Sequence, residues 1–596
     1  MVEFLSSNFV PVMFIGLIAF LLIGFPVAFS LAATGLFFGL IGMELGLFPS
    51  NLFQALPLRV FGIMQNDTLL AIPFFTLMGI VLERSRMAED LLETVGQVFG
   101  PLRGGVGIAV VLVGALLAAT TGVVAASVIS MGLIAMPIML RYGYNRTIAT
   151  GTITASGTLA QALPPSLVLI VLADQLGRSV GDMYAGALIP GLSLVGLYLA
   201  FIVVVALVKP SWVPALPPEA RIYSEPNGSS GHASLLILLV ICTVASVLWS
   251  QVHESIMNPW LERENAAPGD EVFILSTAIG AFLALGLALL NRLFKLGLLS
   301  RLTERVTFVL IPPLVLIFLV LGTIFLGVAT PTEGGAMGAI GALIMAGARR
   351  TLSFKLLQQA LENSTKLAIF VMFILIGSTV FSFTFNAADG HVWVEHLFDK
   401  LPGGQLGFLI VVNLIVFILG MFIDFFEIAF IVVPLLVPVA TKLDINLIWF
   451  GIILAMNLQT SFLTPPFGFA LFYLRSVAAR NDYDDVVTGK RIKAVTTAQI
   501  YKGSIAFIVL QVIMVAIILF NPGIVTGNLD AAEKMDDASV MDMLNNMQGQ
   551  ENTNDPWGAA DTEAEADSGT EVPAPDAGEA EIDPAKALED AMKKAE

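Results

Sequence analysis

Two stretches of this sequence set polar side chains beside paired prolines in apolar surroundings. One is Ser156-Gly157-Thr158-Leu159-Ala160-Gln161-Ala162-Leu163-Pro164-Pro165; the other is Asn457-Leu458-Gln459-Thr460-Ser461-Phe462-Leu463-Thr464-Pro465-Pro466. Proline has no N–H and clashes with the carbonyl four residues back, so a double proline inside a helix frees backbone carbonyls. Irregular backbone at membrane depth survives only where it is buried or lines a cavity. Freed carbonyls, hydroxyls and amides together make hard oxygen ligands suited to Na⁺, while the N-termini of half-helices favour a carboxylate. The candidate ligands are Ser156, Gly157, Thr158 and Pro164 in the first stretch, and Asn457, Gln459, Thr460, Thr464 and Pro465 in the second. The competing reading is structural: Ser and Thr also rescue proline kinks and join helices.

The stretches correspond without a gap at a shift of 301 residues. Pro164 and Pro165 fall on Pro465 and Pro466, Pro137 on Pro438, Arg141 on Lys442, Asn145 on Asn446, Ser156 on Asn457 and Thr158 on Gln459. Each is preceded by an apolar segment with a polar interruption, Thr120-Thr121-Gly122 in the first half and Asp424, with Glu427 beyond it, in the second. A carboxylate in a membrane segment costs roughly 2.5–3.5 kcal/mol on insertion scales, which makes Asp424 a functional candidate by default. It could coordinate a cation or fix the tip by hydrogen bonds. A third break, Thr330-Pro331-Thr332-Glu333, offers Thr330, Thr332 and Glu333 either as ligands or as a cap for the helix that follows.

The elements that position these residues follow from composition. Apolar residues make up 56% of the chain, charged residues 13%, and mean hydropathy is +0.85. A soluble domain sits near 45–50% apolar and about 25% charged. Long apolar runs and the absence of short alternating segments predict an all-α polytopic membrane protein in the lipid bilayer, not a β-barrel. One cysteine, Cys242, permits no intrachain disulfide. His232, His253, His391 and His396 are read as loop residues with no ligand cluster. The N-terminus has no basic region of a signal peptide.

Lys and Arg in short loops set orientation. They predict about twelve spans plus two re-entrant hairpins. A first inverted repeat covers 5–208, with a hairpin at 107–140 entering from the cytoplasm and a broken helix at 148–173. Residues 209–305 hold a linker and an extra helix pair. A second repeat covers 306–525, with a hairpin at 406–441 entering from outside and a broken helix at 446–473. Both termini are placed outside the membrane, in the periplasm. From Asn528 to Glu596 there are 19 Asp and Glu against 4 Lys and almost no aromatic residues, so a disordered acidic tail is expected at 528–596.

Enzyme signatures are missing: no GxxxxGK[ST] phosphate loop, no HExxH and no GxSxG, so the chain is read as no enzyme. Matched, interrupted hydrophobic segments in two halves point instead to a transporter's binding site.

Several spaced motifs carry a resemblance: LLAATTG with MPIMLRYGYN, SGTL with LPPS, AGALIPG, GVATPTE, GMFID and LTPPFG. Together they resemble the large membrane subunit of a TRAP transporter, the tripartite ATP-independent periplasmic type, over roughly residues 5–525. The resemblance implies a bacterial inner-membrane importer of organic acids driven by a Na⁺ gradient. It implies a periplasmic solute-binding protein and a small four-helix membrane subunit as partners, with no organic cofactor and no nucleic acid. It implies an elevator-type ion-transporter fold, in which hairpins and broken helices move against a scaffold. Carried over by motif, Thr121, Gly122, Ser156, Gly157 and Thr158 belong to one half-site, and Asp424, Asn457, Thr464 and Pro465 to the other. Na⁺ sites are implied near Thr121, Ser156, Thr158, Asp424, Asn457 and Thr464. The chain departs from many relatives at Thr121-Gly122-Val123, where they carry Ser-Gly-Ser, and at Thr460-Ser461, where they often carry Ile-Gly. The run from Gly157 to Gly177 resembles a subgroup taking 2-oxo or hydroxy acids or aromatic acids. Two other readings stand beside this one: a stand-alone H⁺- or Na⁺-coupled carboxylate carrier or exporter of related fold, and a membrane scaffold acting through the acidic tail.

Overall fold

The computed structural model describes residues 8–223, 230–261, 266–399, 401–527 and 529. The chain divides into two units, Met1–Lys534 and Met535–Glu596. The second unit, and with it nearly all of the expected acidic tail, lies outside the described residues, as does the N-terminal segment 1–7.

The described chain is helical. In order it forms α1 (Phe9–Ile23), α2 (Val27–Glu44), α3 (Leu56–Met64), α4 (Asp67–Arg84), α5 (Met87–Phe99), α6 (Gly105–Thr121), α7 (Val124–Arg141), α8 (Arg146–Thr158), α9 (Leu167–Leu176) and α10 (Val180–Val208). The middle pair is α11 (His232–Trp260) and α12 (Gly269–Phe294). Then come α13 (Arg301–Phe325), α14 (Pro331–Ala348), α15 (Phe354–Ala387), α16 (Gly390–Asp399), α17 (Gly404–Leu419), α18 (Phe425–Lys442), α19 (Leu447–Phe462), α20 (Phe469–Val477) and α21 (Thr497–Phe520). A two-stranded ribbon, Tyr483–Asp484 against Arg491–Ile492, lies between α20 and α21.

Among the described residues nine helices are long and apolar enough to cross a membrane, or ten with the α3–α4 region, which bends by 45°. The sequence leads one to count about twelve because an apolar run does not show where its helix stops. Here α6, α17 and α19 are short apolar helices that end at a break, and α9 is one that begins just after a break. The breaks have local causes. Gly122 ends α6 in the left-handed region at φ 61°, where a Cβ is disfavoured, and α7 resumes two residues later. Asn145 caps α8, its side chain accepting from Thr147 N at 2.9 Å, and Asn446, 301 residues on, caps α19 by accepting from Trp449 N at 3.0 Å. The Pro164–Pro165 and Pro465–Pro466 bonds are both cis.

One group of helices is built on α4 and α15: α4 packs on α14 and α15, α15 on α2, and α13 on α12 and α14. The other is built on α8 and α19, with α7 and α21 against α8, and α17 and α21 against α19. Gly151 and Gly503 let α8 and α21 cross backbone to backbone, since a Cβ at either would strike the other's main chain.

The histidine reading needs correction. His232 opens α11, and His391 and His396 lie on α16, none in a loop. His253 lies inside α11, fully buried, with Trp249 Nε1 donating to its Nδ1 at 3.2 Å and Glu271 of α12 2.9 Å from its Nε2. Partners on both ring nitrogens satisfy the buried imidazole, so it needs no solvated loop. The linker, too, is docked where it is described: Gly104 N donates to Val213 O and Leu216 N to Gly100 O, while Asn145 N donates to Trp212 O. It thereby ties together the bases of α6 and α8.

Candidate functional site

In the first half, α6 and α7 form two arms whose tip, at Gly122-Val123, sits on the start of α9. A Cβ at Gly122 would lie 3.1 Å from the Leu167 side chain. The second arm presses on α8: a Cβ on Gly157 would lie 3.1 Å from both Cα and N of Val128. Gly157 therefore lets hairpin backbone touch helix backbone beside Ser156 and Thr158. Pro164 and Pro165 interrupt the helix, and Ser166 repairs part of the damage. Its hydroxyl donates to Gln161 O at 3.1 Å and accepts from Val168 N at 3.2 Å, capping α9.

The buried hydroxyls here donate into their own helices. Thr120 donates to Leu117 O at 3.0 Å, Ser156 to Thr152 O at 2.7 Å and Thr158 to Ala155 O at 2.9 Å. A hydroxyl that has spent its proton on a carbonyl keeps lone pairs for a cation. Thr121 closes α6; its side chain lies outside the described residues.

The second half repeats the arrangement with different chemistry. Thr460, Ser461 and Thr464 donate to the carbonyls of Met456, Asn457 and Thr460 at 3.0, 3.1 and 2.9 Å. Asn457 Nδ2 donates to Asn413 O of α17 at 2.6 Å, joining the first hairpin arm to the broken helix. At the tip Asp424 and Glu427 form a reciprocal cap on α18: Asp424 Oδ1 accepts from Phe425 N at 2.7 Å, and Glu427 Oε2 accepts from Asp424 N at 3.2 Å. Beyond Pro465 and Pro466, the Phe467 ring meets Phe422 of the tip at 4.9 Å between centroids.

The two halves meet at Thr158 and Gln459. Gln459 Nε2 donates to Thr158 Oγ1 at 3.4 Å and lies 3.5 Å from the Tyr198 hydroxyl. Gln511 Nε2 donates to the same hydroxyl at 2.7 Å. All four residues are buried, and Tyr198 further packs edge-on against Phe507. The amide oxygens of Gln161, Gln459 and Gln511 are buried with no hydrogen-bond partner among the described residues. An unpaired buried carbonyl is costly, and each of these oxygens is the kind of hard donor a dehydrated cation accepts. Among the described residues no cluster of three His, Cys, Asp or Glu exists.

Thr330, Thr332 and Glu333 find their partners elsewhere. Thr330 and Glu333 cap α14 reciprocally, and Thr332 Oγ1 donates to Asp67 O at 2.5 Å at the start of α4. These contacts tie α14 to α4 rather than to either broken helix. Sequence reasoning passed over Tyr198, Gln511 and Asn413, and met Gln161 only as an amide near the first proline break. Each is a polar residue in an apolar stretch, which is the only signal a sequence carries for them.

The model of the DctM component of the tripartite ATP-independent periplasmic transporters matches residues 14–259 and 271–524. The chain is 27% identical over 432 residues to the C4-dicarboxylate TRAP transporter large permease protein DctM of Pseudomonas aeruginosa, covering 72% of this chain and 82% of that one. It is 23% identical over 470 residues to the 2,3-diketo-L-gulonate TRAP transporter large permease protein YiaN of Escherichia coli, covering 78% and 89%. It is also 23% identical over 469 residues to the isethionate TRAP transporter permease protein DctMQ of Oleidesulfovibrio alaskensis, covering 78% and 60%. Among solved structures it is similar to the Alcanivorax borkumensis YdaH transporter, with a TM-score of 0.46 and 11% identity over 80% of this chain and 90% of that one.

Proposed function

The chain belongs to the DctM family of tripartite ATP-independent periplasmic transporters, and from that footing we propose that it is the large membrane subunit of a Na⁺-driven importer of organic acids. The carrying observation is the Thr158–Gln459 contact, which joins the two proline-broken helices at equivalent places in the two halves. Around it stand neutral oxygens suited to Na⁺ and the N-terminus of α9, a helix end suited to a carboxylate. The arms α6–α7 and α17–α18 are the re-entrant hairpins, entering from the cytoplasm and from outside. They move with α8, α9, α19 and α20 as one body against the scaffold of α4, α14 and α15. Relatives named for C4-dicarboxylates, a diketo sugar acid and isethionate support a small organic anion as solute. A periplasmic solute-binding protein delivers it, and a small four-helix subunit completes the membrane complex.

The test is uptake by the purified chain in proteoliposomes, with and without each partner and Na⁺. Uptake that requires the solute-binding protein, the small subunit and an inward Na⁺ gradient is the expected result. Uptake by the large subunit alone would favour the stand-alone carrier, and uptake indifferent to Na⁺ would remove the coupling ion from the scheme.

A further inference from the structure

The ribbon between α20 and α21 ends in a turn, Asp485 to Lys490, whose tip residues run against its geometry. Asp485 builds the turn. Its N–H donates to Lys490 O and its carbonyl accepts from Gly489 N, while its Oδ2 accepts from Thr488 N at 2.8 Å and Thr488 Oγ1 at 2.6 Å. Gly489 takes φ 66°. Turns favour Gly, Asn, Asp, Ser and Pro. Here the tip carries Val486 and Val487, 99% and 68% exposed. Valine adds nothing to such a turn and, so exposed, buries nothing in this fold. A rigidly presented apolar pair calls for a cover from outside the chain. We infer that the cover is the anionic inner leaflet of the membrane: the two valines insert among its headgroups, and the cations of the ribbon gather acidic lipid around them.

The position of the ribbon carries the first part of the argument. Both of its ends are tied to helix ends on one membrane face. At the base, Val495 N donates to Ala479 O, Arg475 of α20 donates to Val495 O, and Ala494 N donates to Asp482 Oδ1 at 2.8 Å. At the tip, Arg141, the last residue of α7, sets its Nε 3.0 Å from each Asp485 carboxylate oxygen. Helices α7 and α21 are both long and apolar enough to span. The base of the ribbon therefore stands where one span begins and its tip where another ends, so it runs along the membrane surface rather than away from it. The Lys and Arg residues gathered here place that surface inside.

Charge carries the second part. The acids of the ribbon are answered within it: Arg141 takes Asp485, while Arg491 lies 3.8 Å from Asp482 and directly opposite Asp484 in the strand register. Lys490 and Lys493 make no ion pair among the described residues. From Arg480 to Lys502 five exposed cations (Arg480, Lys490, Arg491, Lys493 and Lys502) stand against two exposed acids. Lys and Arg at an anionic leaflet are attracted to it, and salt screens that attraction. Since Asp485 both builds the turn and takes Arg141, the lipid contact fixes the base of the first hairpin to the leaflet.

The test follows the tip itself. Cys242→Ser removes the one native thiol from the full-length chain, and Val486→Cys then carries an environment-sensitive nitrobenzoxadiazole dye. The side chain replaced is almost wholly exposed, so the fold is spared. The protein is reconstituted in phosphatidylcholine alone, or in two parts of it to one of phosphatidylglycerol, each with brominated acyl chains as quencher. In the mixed bilayer the emission is expected to shift to the blue, with bromine quenching about threefold stronger than in phosphatidylcholine, an advantage reduced by high salt and by Lys490→Gln with Lys493→Gln. A dye at Val487→Cys should report the same. Equal quenching in the two bilayers, or an advantage that survives both salt and the lysine changes, overturns acidic lipid as the partner. A dye that aqueous acrylamide reaches as freely in both bilayers as in detergent overturns membrane contact altogether and leaves the valines to a protein. None of these readings depends on uptake.

Discussion

Gln459 donates its side-chain amide to the hydroxyl of Thr158, the residue 301 positions earlier that occupies its own place in the first half of the chain. Two equivalent positions can touch only where the operation relating the halves passes between them. The contact therefore marks the centre of the paired arrangement. The surrounding backbone follows the same relation: Asn145 and Asn446 cap the corresponding helices. Arg141 and Lys442, equivalent again, each hold an acid, Asp485 at 3.0 Å and Glu395 at 3.2 Å.

Removing either partner of the central contact leaves the other buried and short of a bond, a cost of about 1–3 kcal/mol. Thr158→Val and Gln459→Leu are each expected to cut uptake by about tenfold or more with expression intact. The double variant should lose less than the sum, as for residues in one network. Initial-rate uptake at several Na⁺ concentrations measures this; additive losses would return both residues to independent packing roles.

Tyr198 receives amide donors from Gln511 and Gln459. Tyr198→Phe keeps the ring against Phe507 but strands those donors. A lower melting temperature in detergent is expected, from a loss of about 1–3 kcal/mol. An unchanged melting curve would mean that the two amides find other partners.

Gly122→Ala places a Cβ at φ 61° and against Leu167. The left-handed backbone alone costs about 1–2 kcal/mol for a residue with a Cβ. Gly157→Ala is sterically harsher, since its Cβ meets the Val128 main chain. Uptake should fall for both, further for Gly157→Ala, and cross-linking between Val128 and a neighbour of Gly157 should report the displaced arm.

Asp485 sits in the loop between α20 and α21, outside the spans. Its bond from the Thr488 hydroxyl, together with Arg141 on α7, holds its carboxyl down at about 2. A carboxylate depressed below its unfolded value of about 3.9 stabilises the fold fully above that value. The contribution fades as pH falls toward about 2. Melting temperatures between pH 6 and 2 should therefore drop less for Asp485→Asn than for the parent chain; parallel curves would deny the coupling of this loop to the hairpin base.

The sequence by itself determined the helical membrane class, the two proline breaks and the two interrupted arms. Those depend on local chemistry: proline's missing donor, glycine's tolerance of positive φ, and apolar runs too long for a water-soluble core. The family, too, was legible, because its motifs sit at these breaks. Lengths were less legible, since a run of apolar residues does not say whether one helix or two half-helices fill it. Only the tertiary structure decided which polar residues share a site. Tyr198 and Gln511 lie 313 positions apart and join the Thr158–Gln459 centre through packing of α10 against α21. Glu333 and Asp424 look alike in sequence, carboxylates beside a polar break. The fold makes one a cap on the scaffold at α14 and the other a cap on the hairpin tip of α18. His253 reads as a loop residue until Glu271 arrives from the neighbouring helix. A partner that comes from another helix leaves no mark in the local pattern, so its meaning waits for the fold.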